Sequence, residues 1–290
     1  MSLLDTLSFI MNHPLNRDRK LAAVAKWFAW QISSRLMPGP RIVPFVNDSK
    51  LLVSHGMRGA TGNLYTGLHE FNDMSFCLHL LRPGSLFVDV GANVGSYTVL
   101  ASAAIGARSI AIEPIRSSYE ALRRNVKLNN IEDKVDLRNI GAADQKGILC
   151  FTSDQDTLNH VLTNGDISGK NSVQIEVDTL DCIAGDLKPV LIKIDVEGYE
   201  DNVIMGANRV LAKDSLLAVI LELNGFAEAK THQRMLHYGF KPFRYEPFER
   251  ILVPLSEQAR NGNTLYVRNE ANVKDRLSAA PTFLVNGRRI

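Results

Sequence analysis

Apolar residues follow two different spacings along the middle of this chain, and each spacing predicts one kind of element. Short apolar runs bounded by glycine, proline or charged residues are typical of buried strands, and apolar positions three or four apart indicate helices. The predicted strands cover residues 86–90, 109–113, 135–138, 190–195 and 217–223. The predicted helices between them cover about 96–105, 116–129 and 199–212. This alternation indicates an α/β fold whose doubly wound, mostly parallel sheet has helices on both faces.

The regions on either side of this core show weaker patterns. Before it, the sequence predicts a helix over 17–36, β-type segments at 42–46 and 50–53, a glycine-rich turn at 56–62, and a helix over 68–81. After it, we expect a helix near 227–237 and two further strands at 240–245 and 264–268, which bring the sheet to seven strands. The last segment, 269–290, has no clear period and is expected to be partly disordered. These patterns divide the chain into an N-terminal helical and β extension (1–63), a main domain (64–268) and a tail (269–290).

A long insertion is predicted between the third and fourth strands of the core. Residues 147–153 and 172–177 are expected to be extended and antiparallel, and the polar loop 154–171 joins them. Long loops in compact domains are usually functional or mobile. His160 in this loop is interpreted either as a solvated histidine or as a base or substrate contact over a site.

The helix predicted over 17–36 has two interpretations. Leu21, Val24, Ala25, Phe28 and Ile32 form an apolar stripe at helical spacing, and basic residues and two tryptophans lie around it. Most stripes of this kind face a core, so we expect this one to pack on the body of the protein or on a second subunit, as in a homo-oligomer. A basic amphipathic helix with tryptophans is also typical of a membrane surface.

Composition narrows the functional classes. The 290 residues are 45% hydrophobic and 22% charged, and the net charge is only +2, so we expect no nucleic-acid partner. Three cysteines without a C-x-x-C pair argue against a disulfide scaffold and against a structural zinc site. No apolar stretch reaches about 18 residues, so we expect no transmembrane segment. Because the N-terminus also lacks the pattern of a cleavable signal peptide, a cytoplasmic location is expected.

The segment that follows the first core strand carries the clearest chemistry. Asp89 ends the strand, and Gly91 and Gly95 bracket a short loop that contains Asn93. Glu113 lies 22 residues after Gly91, at the end of the second strand, where an acid can accept hydrogen bonds from both hydroxyls of a ribose. The G-x-x-x-G spacing differs from the G-x-G-x-x-G of nicotinamide-binding folds. The sequence therefore predicts a nucleoside-binding loop of another kind.

Five further motifs, in order and at matching separations, make a family resemblance specific. Residues 89–95 resemble the first motif of class I S-adenosylmethionine-dependent methyltransferases, and more narrowly that of the FkbM family. The region of similarity covers about 64–225 and contains the segments Ile112-Glu113-Pro114, Asn139-Ile140-Gly141-Ala142-Ala143-Asp144, Val177-Asp178-Thr179-Leu180-Asp181, Lys193-Ile194-Asp195-Val196-Glu197-Gly198-Tyr199-Glu200 and Ile220-Leu221-Glu222-Leu223-Asn224. The resemblance implies a Rossmann-like methyltransferase fold and S-adenosylmethionine as the cofactor.

The resemblance also implies roles for individual residues toward that cofactor. The loop with Asp89, Gly91, Asn93 and Gly95 would hold the methionine part, and Glu113 would bind the ribose. Either Ala142 or Ala143 would contact the flat face of the adenine. Asp144 would accept from the adenine amine, although it also fits a plain hairpin turn. Glu70 would accept from the cofactor's amino group, although a surface acid on a helix is an equal interpretation.

Three carboxylates are the predicted catalytic residues. Asp195 ends the fourth strand, which the resemblance implies lies nearest the transferred methyl group, and Glu197 follows two residues later. Glu222 ends the fifth strand and is expected to point toward the same crevice. One of them can act as a general base, or the enzyme can rely on proximity and orientation. Three acids can also hold a divalent ion. We expect no metal, however, because neither their spacing nor a histidine cluster requires one.

The predicted activity is transfer of a methyl group to a hydroxyl of a sugar, a glycan or a secondary metabolite. A nicotinamide-dependent oxidoreductase is one alternative, although its second glycine and a Ser/Tyr/Lys-type catalytic set are missing. An RNA methyltransferase is another, although the sequence shows no stripe of basic and aromatic residues. The first alternative would change the reaction and the second the acceptor while the fold stays the same, because function depends on the site.

Overall fold

The computed structural model describes residues 3–37, 39–152, 172–223, 228–255 and 262–290. The N-terminal part consists of short helices and one hairpin. It contains α1 (Leu3–Asn12), a 3-10 turn (Pro14–Asn16), α2 (Lys20–Leu36), the antiparallel strands β1 (Arg41–Pro44) and β2 (Lys50–Val53), α3 (Arg58–Thr66) and α4 (Phe71–Leu80). The hairpin is fixed to the main domain, because the Asn125 and Asn129 side chains accept from the backbone N–H groups of Leu52 and Lys50.

The main domain alternates strands and helices as the apolar runs predict. Its first half contains β3 (Leu86–Val90), α5 (Ser96–Val99) with a π-helical continuation (Leu100–Ile105), β4 (Arg108–Ile112), α6 (Arg116–Leu128), β5 (Val135–Arg138), β6 (Gly141–Ala143) and β7 (Gly147–Thr152). The next part contains β8 (Ser172–Thr179), α7 (Leu180–Ala184), β9 (Pro189–Ile194), α8 (Glu200–Met205), α9 (Asn208–Leu211) and β10 (Ala218–Leu223). The last part contains α10 (Glu228–His237), β11 (Lys241–Glu246), β12 (Ile251–Pro254), β13 (Gly262–Val267), α11 (Glu270–Ser278), β14 (Leu284–Val285) and β15 (Arg288–Arg289).

The central sheet has the strand order β12-β11-β13-β10-β9-β3-β4-β5. Strands β10, β9, β3, β4 and β5 are parallel, and β13, β11 and β12 continue the sheet in antiparallel pairs. The chain runs outward from β3 through β4 to β5 and then returns to β9 on the other side of β3. Open α/β sheets bind ligands at such a switch point, beyond the carboxyl ends of the strands.

Both faces of the sheet are buried, which explains its continuous apolar strands. Phe87 packs into a core with Trp27 and Leu277, from the N-terminal and C-terminal parts of the chain. Val88, the next residue, points to the opposite core with Val203 and Met235 from helices α8 and α10. The predicted doubly wound, mostly parallel fold with an N-terminal extension is confirmed. The sheet has eight strands among the described residues rather than seven, because β12 adds an edge strand.

Three local predictions are wrong. The predicted helix over 199–212 is divided into α8 and α9 at Gly206, where an added Cβ would lie 2.0 Å from the carbonyl oxygen of Ala143. The predicted glycine-rich turn is largely the helix α3. The tail is ordered as α11 and the β14–β15 hairpin, since buried side chains such as Leu277 and Phe283 hold it on the core.

The apolar stripe predicted on α2 lies mostly on the exposed face of the helix, and the opposite face is buried. Trp27 and Trp30 are each 6% exposed and pack in the core, while Leu21 and Ile32 are 87% and 60% exposed. Tryptophan buries more area than an aliphatic side chain, so these two aromatic residues determine which face of the helix packs. The prediction that the stripe faces the body of the protein is therefore wrong for most of its residues, although Val24 is partly buried against the core, and packing on a second subunit stays a prediction.

The insertion forms a small second sheet. Strands β7 and β8 pair in antiparallel fashion as predicted, and β8 also pairs in parallel with β6. His160 and the loop around it lie outside the described residues, as does Asn224. Among the described helices, none combines the length and the apolar character that crossing a bilayer requires. The boundaries of the three predicted domains stay a prediction.

Candidate active site

A cleft with about 1080 Å³ of empty space, part of it open to solvent, lies at the carboxyl ends of β3, β4 and β9. Most of the predicted site residues line it, namely Glu70, Asp89, Gly91, Asn93, Glu113, Ala142, Asp195 and Glu197. Three predicted residues, Gly95, Asp144 and Glu222, are not among the described residues that line it. The cleft therefore brings together both halves of the predicted site, from the loops after β3 and after β9.

Gly91 allows these two loops to approach each other. Its φ is +78°, and a Cβ at this position would lie 1.8 Å from the carbonyl oxygen of Asp195. The backbone N–H of Asp195 donates to the carbonyl of Val90 at 3.0 Å, so the two strand ends are directly linked. A glycine is required here because no side chain fits between the two backbones. Gly95, by contrast, has a φ of +88° and packs against Leu122.

Glu113 is a buried carboxylate held by backbone donors. Its Oε2 accepts from the N–H of Asn93 at 2.8 Å, and its Oε1 accepts from the N–H of Ile115 at 2.8 Å. Burial raises the pKa of Glu113 to about 7, and the two backbone hydrogen bonds oppose this shift. A carboxylate oxygen can accept more than one hydrogen bond. Glu113 can therefore accept from two neighbouring hydroxyls while it fixes the loop after β3.

The loop after β3 is also fixed by its own side chains. Asn93 has a φ of +51°, and its Oδ1 accepts from the N–H of Val94 at 2.7 Å. Asp89 is buried, and its Oδ2 accepts from the hydroxyl of Thr98 at 2.6 Å. Burial raises the pKa of Asp89, and the ammonium of Lys193 opposes the shift. The polar side chains of this loop are thus held in place within the protein itself.

Lys193 is a buried cation that lines the cleft. Its Nζ lies 2.7 Å from Oδ2 of Asp195 and 4.9 Å from the centre of the Tyr97 ring. Burial lowers the pKa of Lys193, but the carboxylates of Asp195, Glu70 and Asp89 outweigh burial and raise it overall. Burial likewise disfavours ionised Asp195, yet the Lys193 charge lowers the pKa of Asp195 overall. Both groups are therefore ionised at neutral pH.

The carboxylates of Glu70, Asp89 and Asp195 all act on the ammonium of Lys193. We call this group of four residues the anionic pole of the cleft. Glu70 accepts from the hydroxyl of Tyr97 at 2.5 Å. Burial raises the pKa of Tyr97 well above its usual range, and the Glu70 charge adds to the shift. The phenol therefore stays protonated and keeps donating. With Asp89 ionised, the formal charge of this cluster is negative, which favours a cationic ligand group.

The sequence patterns predicted no role in this site for Tyr97 or for Lys193. A pattern in the sequence points to Lys193. It is a charged residue inside an otherwise apolar strand, two positions before Asp195, and residues two apart in a strand share a face. Tyr97 carries no such pattern, because an aromatic residue in the first turn of a helix is ordinary.

The remaining predicted carboxylates lie at the edge of the cleft. Oxygen atoms of Asp195, Glu197 and Glu222 all lie within 4.8 Å of one another, but such acidic groups are common without a metal. A hydrogen bond with Glu222 helps to lower the pKa of Asp195. Glu200 fixes this loop, because its Oε1 accepts from the N–H groups of Val196 and Gly198 at 3.1 Å each.

The other end of the cleft is mostly apolar. Ala142 and Ile115 line it together with Tyr199, whose pKa is raised by burial and by the charge of Asp144. Asp144 is therefore close to the cleft although it does not line it. Ala143 packs in a separate small core with Ile175 and Val177. A flat heteroaromatic ring fits this end better than it fits the anionic pole.

The family model of the FkbM methyltransferase domain matches residues 89–245, more than half of the chain. The chain belongs to the FkbM methyltransferase family. It is therefore an S-adenosylmethionine-dependent methyltransferase, and this favours methyl transfer over the oxidoreductase alternative. The matched residues include both the loop after β3 and the loop after β9.

Solved structures with similarity to this FkbM-family protein share little of its sequence. A precorrin-6y C5,15-methyltransferase from Geobacter metallireducens is 14% identical over 70% of this chain and 89% of the other, with a TM-score of 0.40. A methyltransferase from Geobacter sulfurreducens is 19% identical over 68% and 77%, with a TM-score of 0.38. An rRNA methylase from Streptococcus thermophilus is 13% identical over 68% and 93%, with a TM-score of 0.38. Comparison with curated protein sequences finds no match.

Proposed function

We propose that this FkbM-family protein binds S-adenosylmethionine in the cleft and methylates a hydroxyl group of a sugar, a glycan or a secondary metabolite. The observation that carries the proposal is Glu113, a buried carboxylate at the end of β4 whose two oxygens are fixed by backbone N–H groups. That geometry suits the two hydroxyls of a ribose. Glu113 is close to both ends of the cleft, because it accepts from the N–H of Ile115 at the apolar end and because, in addition to burial, the charges of Asp89 and Asp195 raise its pKa.

Individual residues would hold the cofactor as follows. Glu113 would accept from the ribose hydroxyls, and Ala142 with Ile115 would contact the adenine. Glu70 and Asp89 would face the positively charged amino and sulfonium groups, because the anionic pole attracts cations in a buried setting. When bound, the cofactor supplies a methyl group that is already strongly electrophilic.

The residues of the cleft would then orient the acceptor and take its proton. As the new carbon–oxygen bond forms, the hydroxyl becomes more acidic and transfers its proton to the Asp195 carboxylate. The bound cofactor would supply the methyl carbon: its bond to sulfur would break as the carbon–oxygen bond forms, the bonding pair would stay on sulfur and neutralise it, and Asp195 would hold the proton. Lys193 holds Asp195 ionised through the 2.7 Å contact, which makes Asp195 a weak base suited to a late proton transfer.

Two measurements test this function. The first is thermal stabilisation of the full chain by S-adenosylhomocysteine, compared with nicotinamide dinucleotide; only the former is expected to raise the melting temperature. The second is transfer of a labelled methyl group to a panel of sugars, glycans, small alcohols and RNA. Stabilisation by the nicotinamide compound alone would contradict cofactor binding in this cleft. Labelling of RNA but no hydroxyl compound would contradict the proposed acceptor class.

A further inference from the structure

The outward side of α2 is an exposed apolar surface on the N-terminal part of the protein. Leu21, Phe28, Ile32 and Leu36 lie on one side of the helix and are 87%, 49%, 60% and 76% exposed. We call these four residues the outer face. Exposed alanines at positions 22, 25 and 29 lie on the same side of the helix. The opposite side is buried through Trp27 and Trp30, so the helix cannot turn its outer face into the core.

Charged residues along this helix are all cations. Lys20, Lys26 and Arg35 are exposed, and the sequence of α2 contains no aspartate or glutamate. On a helical projection, Arg35 lies on one side of the outer face and Lys26 on the other. The outer face is thus an apolar strip with positive charge along both borders.

This combination determines which partner fits. Two outer faces packed together would bring the cations of one helix beside those of the other, with no acidic residue on either helix to compensate them. An anionic lipid surface meets both requirements, since the acyl boundary accepts the apolar strip and the headgroups attract the cations. Lysine and arginine can extend toward headgroups while their aliphatic stems cover apolar surface.

We propose that α2 is a docking helix that lies in the interface of an anionic membrane, with the outer face toward the acyl chains. The helix is already folded and held by its tryptophans, so binding needs no further ordering of its backbone. Its position also relates the membrane to the cleft. The side chain of Gln31 on α2 donates to the hydroxyl of Tyr65 on α3, and Asn63 on α3 lines the cleft.

Binding of the full-length protein to lipid vesicles tests the proposal. Vesicles of phosphatidylcholine alone are compared with vesicles that contain about 30% phosphatidylserine, a fraction chosen to give a strongly negative surface. We expect binding to the anionic vesicles, and weaker binding as salt is raised, because salt screens the headgroup charges. The double variant Leu21→Gln/Ile32→Gln should bind at least roughly tenfold more weakly, since two apolar side chains no longer leave water.

Matched variants separate the outer face from general surface effects. Leu187 is 43% exposed in the loop between α7 and β9, and Leu187→Gln should bind vesicles like the unmodified protein. Lys20→Gln/Arg35→Gln should lose roughly tenfold in affinity for anionic vesicles and little for neutral ones. Circular dichroism of each variant should match that of the unmodified protein, because all the substituted side chains are exposed.

Three outcomes would overturn the proposal. The first is that the unmodified protein fails to bind phosphatidylserine vesicles at low salt, and the second is that the Leu21→Gln/Ile32→Gln variant binds them with the same affinity. The third is a dimer in sedimentation experiments that this double variant dissociates, which would assign the outer face to a second copy. Stabilisation by S-adenosylhomocysteine does not depend on α2, so failure here leaves the proposed methyl transfer to its own test.

Discussion

Two carboxylates in the cleft, Glu113 and Asp195, follow strands that flank β3, yet the protein stabilises them in different ways. Glu113 is held by two neutral backbone donors, and burial raises its pKa to about 7. Asp195 is held by the ammonium of Lys193, and its pKa is lowered. A neutral donor adds much less than a full charge to offset the cost of burying an anion. Glu113 therefore suits hydrogen bonding to hydroxyls, and Asp195 is ionised before the reaction, as a group that accepts a proton must be.

Removal of the ammonium should have the largest effect, because it leaves several buried carboxylates without a cation. Lys193→Met should lower the free energy of unfolding by about 3 to 5 kcal/mol, the usual cost of breaking a buried ion pair. Urea unfolding at pH 7 measures this difference. Should the variant not fold at all, Lys193→Arg, which keeps the charge, should restore the fold.

The matched control is an exposed ion pair. Lys274 and Glu270 lie one helical turn apart on α11, with side chains 56% and 43% exposed. Lys274→Met should therefore change the free energy of unfolding by less than about 0.5 kcal/mol. Equal losses in the two variants would mean that Lys193 contributes no more than a surface lysine does.

Asp195→Asn should reduce turnover more than it reduces cofactor affinity. If Asp195 takes the hydroxyl proton, kcat should fall by about 10²- to 10⁴-fold, the usual contribution of a general base. Asp136→Asn, which changes a surface partner of Arg138, should leave kcat unchanged. The comparison requires single-turnover rates and the cofactor dissociation constant of each variant. A large loss of affinity with an unchanged rate would make Asp195 a cofactor ligand.

Glu113→Ala should have the complementary effect, with affinity reduced more than turnover. Loss of hydrogen bonds from a charged group costs about 1.5 to 3 kcal/mol of binding free energy. This corresponds to a dissociation constant for S-adenosylhomocysteine that is roughly 10- to 150-fold higher. Titration calorimetry measures it. Glu120 on α6, which pairs with Arg116 and Arg123 at the surface, provides the control Glu120→Ala. Unchanged affinity in Glu113→Ala would remove the ribose assignment.

The sequence predicted this cleft better than it predicted the surface around it. Asp89, Gly91 and Glu113 follow from general rules, because parallel strands present their carboxyl ends at one edge and a close backbone approach requires glycine. Glu222 was expected in the crevice; it is not among the described residues that line the cleft, but it forms a hydrogen bond with Asp195, which does line it. Such a position depends on side-chain direction at a strand end, which a single sequence does not specify.

The N-terminal and C-terminal parts were harder to predict for a different physical reason. The stripe of α2 has a regular helical period, but the period does not tell which face meets the core. The tryptophans decide it through the area they bury, and their partners come from distant parts of the chain. The C-terminal tail was hard to predict for the same reason. Helix α11 and the β14–β15 hairpin are short, and their stability comes from packing rather than from local conformational preference. Long-range contacts of this kind are not visible in the local pattern.

The smallest predicted effect concerns pH, and it has opposite signs for the two carboxylates. The pKa of Glu113 rises from 4.5 to about 7 on folding, so the folded state binds the extra proton and stability falls as pH rises through this window. Glu113→Gln removes this titration. Relative to that variant, the unmodified protein should lose on the order of 2 kcal/mol between pH 5 and pH 8. Urea unfolding over this pH range measures the slope.

Asp195 provides the control with the opposite slope. Its folded pKa lies below 3.8, so its stabilising contribution is complete above about pH 5 and is lost as pH falls through the folded value. The difference between the unmodified protein and Asp195→Asn should therefore stay constant from pH 5 to pH 8 and shrink below about pH 4. If both carboxylates gave the same slope, backbone donors and a buried ammonium would stabilise them equally, and the contrast between the two ends of the cleft would be wrong.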